Sequence, residues 1–168
     1  MDDQDDGRRA RAPEPADVVR ICRALNEAGA RYLLIGGFAV VAHGAGRFTK
    51  DIDLLVDDAR ENVARVKLAL AVLADNAASE VAEDDVQRHA VVRVADEVIV
   101  DLMGSACGVT YAEAARDAES LERDGVLIPV ASPAALIRMK DTPRPQDAID
   151  RAFLEGVLRE RAAGRRRP

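Results

Sequence analysis

A chain of 168 residues with 48% hydrophobic side chains is long enough and apolar enough to bury one core, which excludes an unfolded tether. Its net charge of −6 argues against a general nucleic-acid binder, which carries a basic face, but leaves room for a local basic site. Two cysteines and two histidines support neither a disulfide framework nor a Cys/His zinc site, and no apolar run of about 18 residues predicts a membrane span.

In chain order, residues 1–14 read as a disordered tail. MDDQDDGRRARAPEPAD lacks the apolar stretch of a signal peptide, so a cytoplasmic location is expected. A helix is predicted to start between Pro15 and Asp17. Val18, Cys22 and Leu25 recur at helical spacing, with Cys22 read as a buried free thiol and Gly29 as the cap. Residues 31–36 are apolar after Arg31, as in a strand buried on both faces. A short helix over Phe38 to His43, a loop over HGAGRFTK and a second strand over residues 51–56 follow. Asp58 and Glu61 have capping-box spacing before a helix with Val63, Val66, Leu70 and Leu73 on one face. NAASEVAEDDVQR reads as a loop of weak structure. HAVVRV and VIVDLMG read as two strands joined by a tight turn at Ala95, Asp96 and Glu97. Next come a helix from Tyr111 to Glu122 ended by Gly125, a short strand VLIPV, and a helix capped by Ser132 with Pro133 at its first position, running to about Lys140. DTPRP breaks the chain, and a last helix spans Gln146 to Leu158. The folded domain is thus placed at residues 15–158, with residues 159–168 as a basic, solvated tail.

The chemistry concentrates in YLLIGGFAVVAHGAGRFTKDIDLLV, residues 32–56. Alternate strand residues share a face, so Asp51 and Asp53 project side by side, about 6.5–7 Å apart along the strand. By themselves they fit a solvated strand edge as well as a site, although like charges repel once partly desolvated. Asp101 adds a third acid, inside the apolar run VIVDLMG, where a carboxylate needs a partner. Were its strand to lie beside residues 51–56, three acids would converge. Oxygen ligands of that kind favour Mg²⁺ or Mn²⁺, and two such ions activate a hydroxyl and stabilise leaving pyrophosphate. Gly36 and Gly37, between a strand and a helix, let phosphate approach backbone N–H groups.

The order strand, Gly-Gly, short helix, loop, Asp-x-Asp strand, then a later strand with one more Asp resembles the nucleotidyltransferases of the DNA polymerase beta superfamily. The nearest form is that of the bacterial minimal nucleotidyltransferase and AbiEii-like proteins. The resemblance rests on GG at 36–37, DID at 51–53, Asp101, the filler AHG..R.TKDIDLLV and the later LIRMKDTPRPQDAIDRAFL, and covers about residues 15–158. It implies an α+β nucleotidyltransferase fold, a mixed β-sheet flanked by helices. It also implies metal-dependent transfer of a nucleoside monophosphate from an NTP to an acceptor, with release of pyrophosphate. Asp51 and Asp53 would then hold both metals, Asp101 the catalytic one, and Lys140 the triphosphate, with Asp147 near the active site. Many superfamily members have Ser where Gly37 stands, so another group must supply that hydroxyl's contact.

Several residues read two ways. Arg47 is a surface arginine or a fork for the triphosphate. His43 is an ordinary helix-end histidine or a site residue, and Asp150 a structural acid or a second polar contact. Thr49 is expected to close the turn and His89 to be structural. The acceptor, a protein, a tRNA or a small molecule, is not legible, and neither are the choice of NTP and the oligomeric state. Relatives in the AbiEii-like branch act as toxins on tRNA or a partner protein, and minimal nucleotidyltransferases act as antitoxins, so a toxin–antitoxin role is one alternative. A non-catalytic nucleotide-binding protein is another.

Overall fold

Proline at the first helical position and a reciprocal capping box between Glu14 and Asp17 start α1 (Pro15–Glu27), which buries Val18, Ile21, Cys22 and Leu25. The computed structural model describes residues 9–165, so most of the expected N-terminal tail and the last residues of the basic tail lie outside the described part. Within residues 9–14, Arg11 is tied down. Its guanidinium donates to both Asp17 oxygens at 2.7 Å, and its backbone N–H donates to the Glu97 carbonyl at 2.9 Å.

The remaining elements are β1 (Tyr32–Ile35), α2 (Gly36–Ala42), β2 (Ile52–Val56), α3 (Arg60–Leu70), a 3₁₀ turn (Ala77–Glu80), α4 (Asp85–Arg88), β3 (Val92–Ala95), β4 (Ile99–Met103), β5 (Ser105–Ala106), β6 (Val109–Thr110), α5 (Tyr111–Ala115), β7 (Glu119–Arg123), β8 (Val126–Val130), α6 (Pro133–Met139) and α7 (Pro145–Gly164). Six strands form one sheet in the order β3-β4-β2-β1-β8-β7, and β5 pairs with β6 alone. The sheet is mixed: β2–β4 and β1–β8 are parallel, and the other three pairings are antiparallel. This is the α+β architecture expected, with the core built from Val, Leu, Ile and Ala side chains.

Four local expectations need correction. The helix predicted from Tyr111 to Glu122 ends at Ala115, although Thr110 caps it by accepting from the Glu113 N–H. Residues Glu119–Arg123 instead pair with β8, and Asp124 (φ 52) and Gly125 (φ 77) make the turn. Asp-Gly between two extended runs is a hairpin signal as well as a helix-end signal, and here the hairpin forms. The capping box at Asp58 and Glu61 does not form: Ala59 is the N-cap, Asp57 accepts from its N–H, and Glu61 pairs with Arg31. The segment read as a weak loop contains a 3₁₀ turn and α4, pinned because the Asp96 carboxylate accepts from the Asp75 and Ala77 N–H groups at 2.9 and 2.8 Å. Finally, α7 runs on past Leu158 to Gly164, so the start of the expected basic tail is helical.

Candidate active site

The register of the sheet builds the site. Asp53 on β2 pairs with Asp101 on the parallel neighbour β4, Asp101 pairs with Arg93 on β3, and Asp53 pairs with Ile35, the last residue of β1. Ile35, Asp53, Asp101 and Arg93 therefore form one row across four strands. Asp51 lies two residues before Asp53 and joins the trio, whose nearest carboxylate oxygens all lie within 4.8 Å of one another. The adjacency on which the sequence argument depended is present.

Burial and mutual repulsion mark the trio. Asp53 is pushed up to about 7, first by burial and then by the charges of Asp51 and Asp101, against the pull of Lys140. Asp51 is raised by burial and by Asp101, with Arg93 opposing. Among the described residues, Arg93 is the one cation in direct contact: Nε and Nη2 each donate to a different Asp101 oxygen at 2.9 Å, and Nη2 lies 3.4 Å from Asp51 Oδ2.

The glycine pair is required by these neighbours. Gly36 has φ +67, and a Cβ there would sit 2.0 Å from Asp53 Oδ2. A Cβ on Gly37 would meet Thr49 Oγ1 at 2.7 Å and Arg47 Nη2 at 3.0 Å. The space a serine would need at position 37 is taken by the Thr49 hydroxyl, which donates to the Asp51 carbonyl at 3.0 Å. Thr49 thus closes the turn, as expected.

Across the cleft stands a second charged cluster. Lys140, at the end of α6, places Nζ 2.8 Å from Asp150 Oδ2 and 3.6 Å from Asp147 Oδ1. Arg47 Nη2 donates to the same Asp150 oxygen at 3.0 Å, and Gln146 donates to the other at 2.9 Å. The Thr142 hydroxyl donates to Asp147. Burial works against ionised Asp150, yet these donors, Lys140 foremost, hold it below the usual carboxylate range. Arg47 Nε is buried without a partner.

All eight residues singled out in the sequence (Gly36, Gly37, Arg47, Asp51, Asp53, Asp101, Lys140 and Asp147) line one cleft of about 700 Å³. His43 stands apart, with Nε2 donating to the Ala131 carbonyl at 2.9 Å, a structural contact. Sequence reasoning missed Arg93 and the double clamp of Asp150. Arg93 was visible only as the polar member of VVRVA.

A profile described as nucleotidyl transferase AbiEii toxin, type IV TA system, matches residues 20–156. The chain belongs to this family. A solved structure from Thermotoga maritima, provisionally described as a nucleotidyltransferase, superposes with a TM-score of 0.50 at 14% identity, over 93% of this chain and 98% of that one. That likeness concerns the fold. No curated protein matches the chain. Membership of the AbiEii family makes an NTP the expected class of substrate. Among the described residues of this AbiEii-family chain, no helix is long and apolar enough to cross a membrane.

The donor set suits a divalent cation. Three carboxylates converge, two are raised by burial and then by their neighbours' charge, and one guanidinium stands in for positive charge without matching theirs. Oxygen ligands of this kind are those of Mg²⁺ or Mn²⁺ sites.

Proposed function

We propose that this protein transfers a nucleoside monophosphate from an NTP to an acceptor hydroxyl and releases pyrophosphate. The observation that carries the reading is the convergence of Asp51, Asp53 and Asp101 in a cleft that also holds Lys140 and Arg47. Asp51, Asp53 and Asp101 would hold Mg²⁺ or Mn²⁺, which when bound neutralises phosphate charge and lowers the pKa of a coordinated hydroxyl.

The chain's own residues do the rest. The acceptor oxygen forms a bond to the α-phosphorus as the bond from that phosphorus to the bridging oxygen breaks, the pyrophosphate leaves with that oxygen, and the acceptor proton passes to water. Asp101, buried at the centre of the strand row, orients the acceptor hydroxyl. Lys140 and Arg47 face the charge that builds on departing pyrophosphate, and Asp147, through Lys140 and Thr142, keeps that side in place. Gly36 and Gly37 keep the backbone low so that Asp53 and Arg47 reach the cleft. Positioning and charge complementarity supply the rate.

Incubating the protein with each labelled NTP, Mg²⁺ and a cell extract tests this. A labelled product made by the wild type and absent with Asp53→Asn supports it, and equal labelling by the two proteins sinks it. Family membership favours a toxin role for this activity. Induced expression should then arrest growth of a host with the wild-type chain and spare it with Asp53→Asn. Growth arrest by both variants would dissociate toxicity from transfer.

A further inference from the structure

Among the charged side chains of the cleft, Arg93 has no role in the reaction described above. It lies on β3, an edge strand, directly opposite Asp101. Its fork engages both Asp101 oxygens, so the carboxylate that a metal would need already has a cation on each oxygen. The two ends of this pair differ in environment: the Arg93 side chain is 57% exposed and that of Asp101 is 7% exposed. A pair whose cationic end is open to water is held weakly, while the buried carboxylate keeps its need for a positive partner.

We infer that Arg93 is a resident counter-ion which the metal displaces from Asp101, and that the freed guanidinium then binds a phosphate group of the substrate. This rests on the metal-site reading above. Guanidinium and metal compete for the same Asp101 oxygens, so each lowers the affinity of the other. The row Arg93, Asp101, Asp53, Ile35 sets Arg93 on the β3 side of the acids, opposite the Gly36–Gly37 turn where Arg47 lies. From there it lines the cleft, and its planar fork matches phosphate oxygens. A phosphate gives the displaced side chain a new partner. Metal and phosphate therefore bind together more tightly than either binds alone, coupled through one side chain. This accounts for placing an arginine on a metal ligand: metal without phosphate is held poorly.

The test is calorimetric binding of Mn²⁺ to the metal-free full-length protein, with and without inorganic phosphate, for wild type, Arg93→Gln, Arg93→Lys and Asp53→Asn. Arg93→Gln is expected to bind Mn²⁺ alone roughly five- to tenfold more tightly than wild type. Phosphate is expected to tighten Mn²⁺ binding more in wild type than in Arg93→Gln. Mn²⁺ held by free phosphate is common to both proteins and cancels in that ratio. Arg93→Lys keeps the charge without the fork and should fall between them, so it carries the test if Arg93→Gln does not fold by circular dichroism. Mn²⁺ binding that is unchanged or weaker in the folded Arg93 variants overturns the competition. An equal phosphate effect in wild type and variant overturns the coupling. Unchanged Mn²⁺ affinity in Asp53→Asn overturns the metal-site reading itself, independently of the Arg93 arm.

Discussion

Two charged clusters face one another across the cleft, and they are built on opposite principles. In Asp51, Asp53 and Asp101, three acids meet one guanidinium from an edge strand, which touches Asp51 and Asp101 alone, and burial raises Asp51 and Asp53. In Lys140, Arg47, Asp147 and Asp150, two cations meet two acids, and the central acid is held below its usual range. The first cluster is short of positive charge and is completed from outside. The second is matched within the fold and serves as a preformed wall. The same residue types thus mark a place left open for a cation in one case and a preformed wall that faces phosphate in the other, and the difference lies in the count of opposite charges in contact.

Removing an acid from each cluster should separate the two roles. Asp53→Asn is expected to lower kcat/KM by about a thousandfold or more, because it removes a group that acts on developing charge. The melting temperature of the metal-free variant should rise or stay level, since one repelling charge is gone. Asp150→Ala should instead unfold more easily, by on the order of 3 kcal/mol in a urea titration, because Lys140 and Arg47 lose the oxygen they share. Equal stability losses in the two variants would erase the distinction.

The clusters should also respond oppositely to pH in the metal-free protein. Asp53 has a folded value near 7 against an unfolded 3.8. Between those values the unfolded chain has released a proton that the folded chain keeps, so stability falls as pH rises through the window. Asp150 is depressed, so its contribution is present above the ordinary carboxylate value and is lost as pH falls through its folded value. The melting temperature of Asp53→Asn relative to wild type should therefore climb from about pH 4 to above pH 7. A difference flat across that range would mean that the trio is not crowded.

How far these clusters were legible in the sequence follows from their chain separation. Asp51 and Asp53 share a strand face by simple alternation, and Asp101 betrays itself as a lone acid in an apolar run. Lys140 and Asp147 came from motif resemblance and not from periodicity. Arg93 was hidden by a slip of one residue. A turn at Ala95, Asp96 and Glu97 puts Arg93 opposite Ile99, whereas the hairpin closes one residue later and pairs it with Asp101. A one-residue shift at a turn moves register by two, and no composition signal reports it. The clamp on Asp150 joins residues 103 apart, Arg47 to Asp150, which only the tertiary fold brings together. The hairpin of β7 and β8 was lost to a helix because Asp-Gly serves both as a hairpin turn and as a helix end.

The smallest expected effect comes from the residue that touches both clusters. Gly37 stands against Arg47, which belongs to the matched wall, and against Thr49, which donates to the Asp51 backbone carbonyl. Gly37 does not have the positive φ of Gly36, so a side chain there meets crowding and no backbone penalty. Gly37→Ala must shift Thr49, whose Oγ1 and Cβ stand 2.7 and 2.9 Å from the added Cβ, and crowds the Arg47 tip at 3.0 Å, at a cost of about 1–2 kcal/mol. Which neighbour yields decides the kinetic outcome. Displacement of Arg47 raises KM for the NTP and leaves kcat near its wild-type value. Displacement of Thr49 disturbs the strand that carries Asp51 and lowers kcat. Because the two tightest contacts, Thr49 Oγ1 at 2.7 Å and Thr49 Cβ at 2.9 Å, are not relieved by moving Arg47, the expected result is a several-fold fall in kcat. A rise in KM at unchanged kcat would place the yielding side chain at Arg47 and count against that cluster as the preformed one.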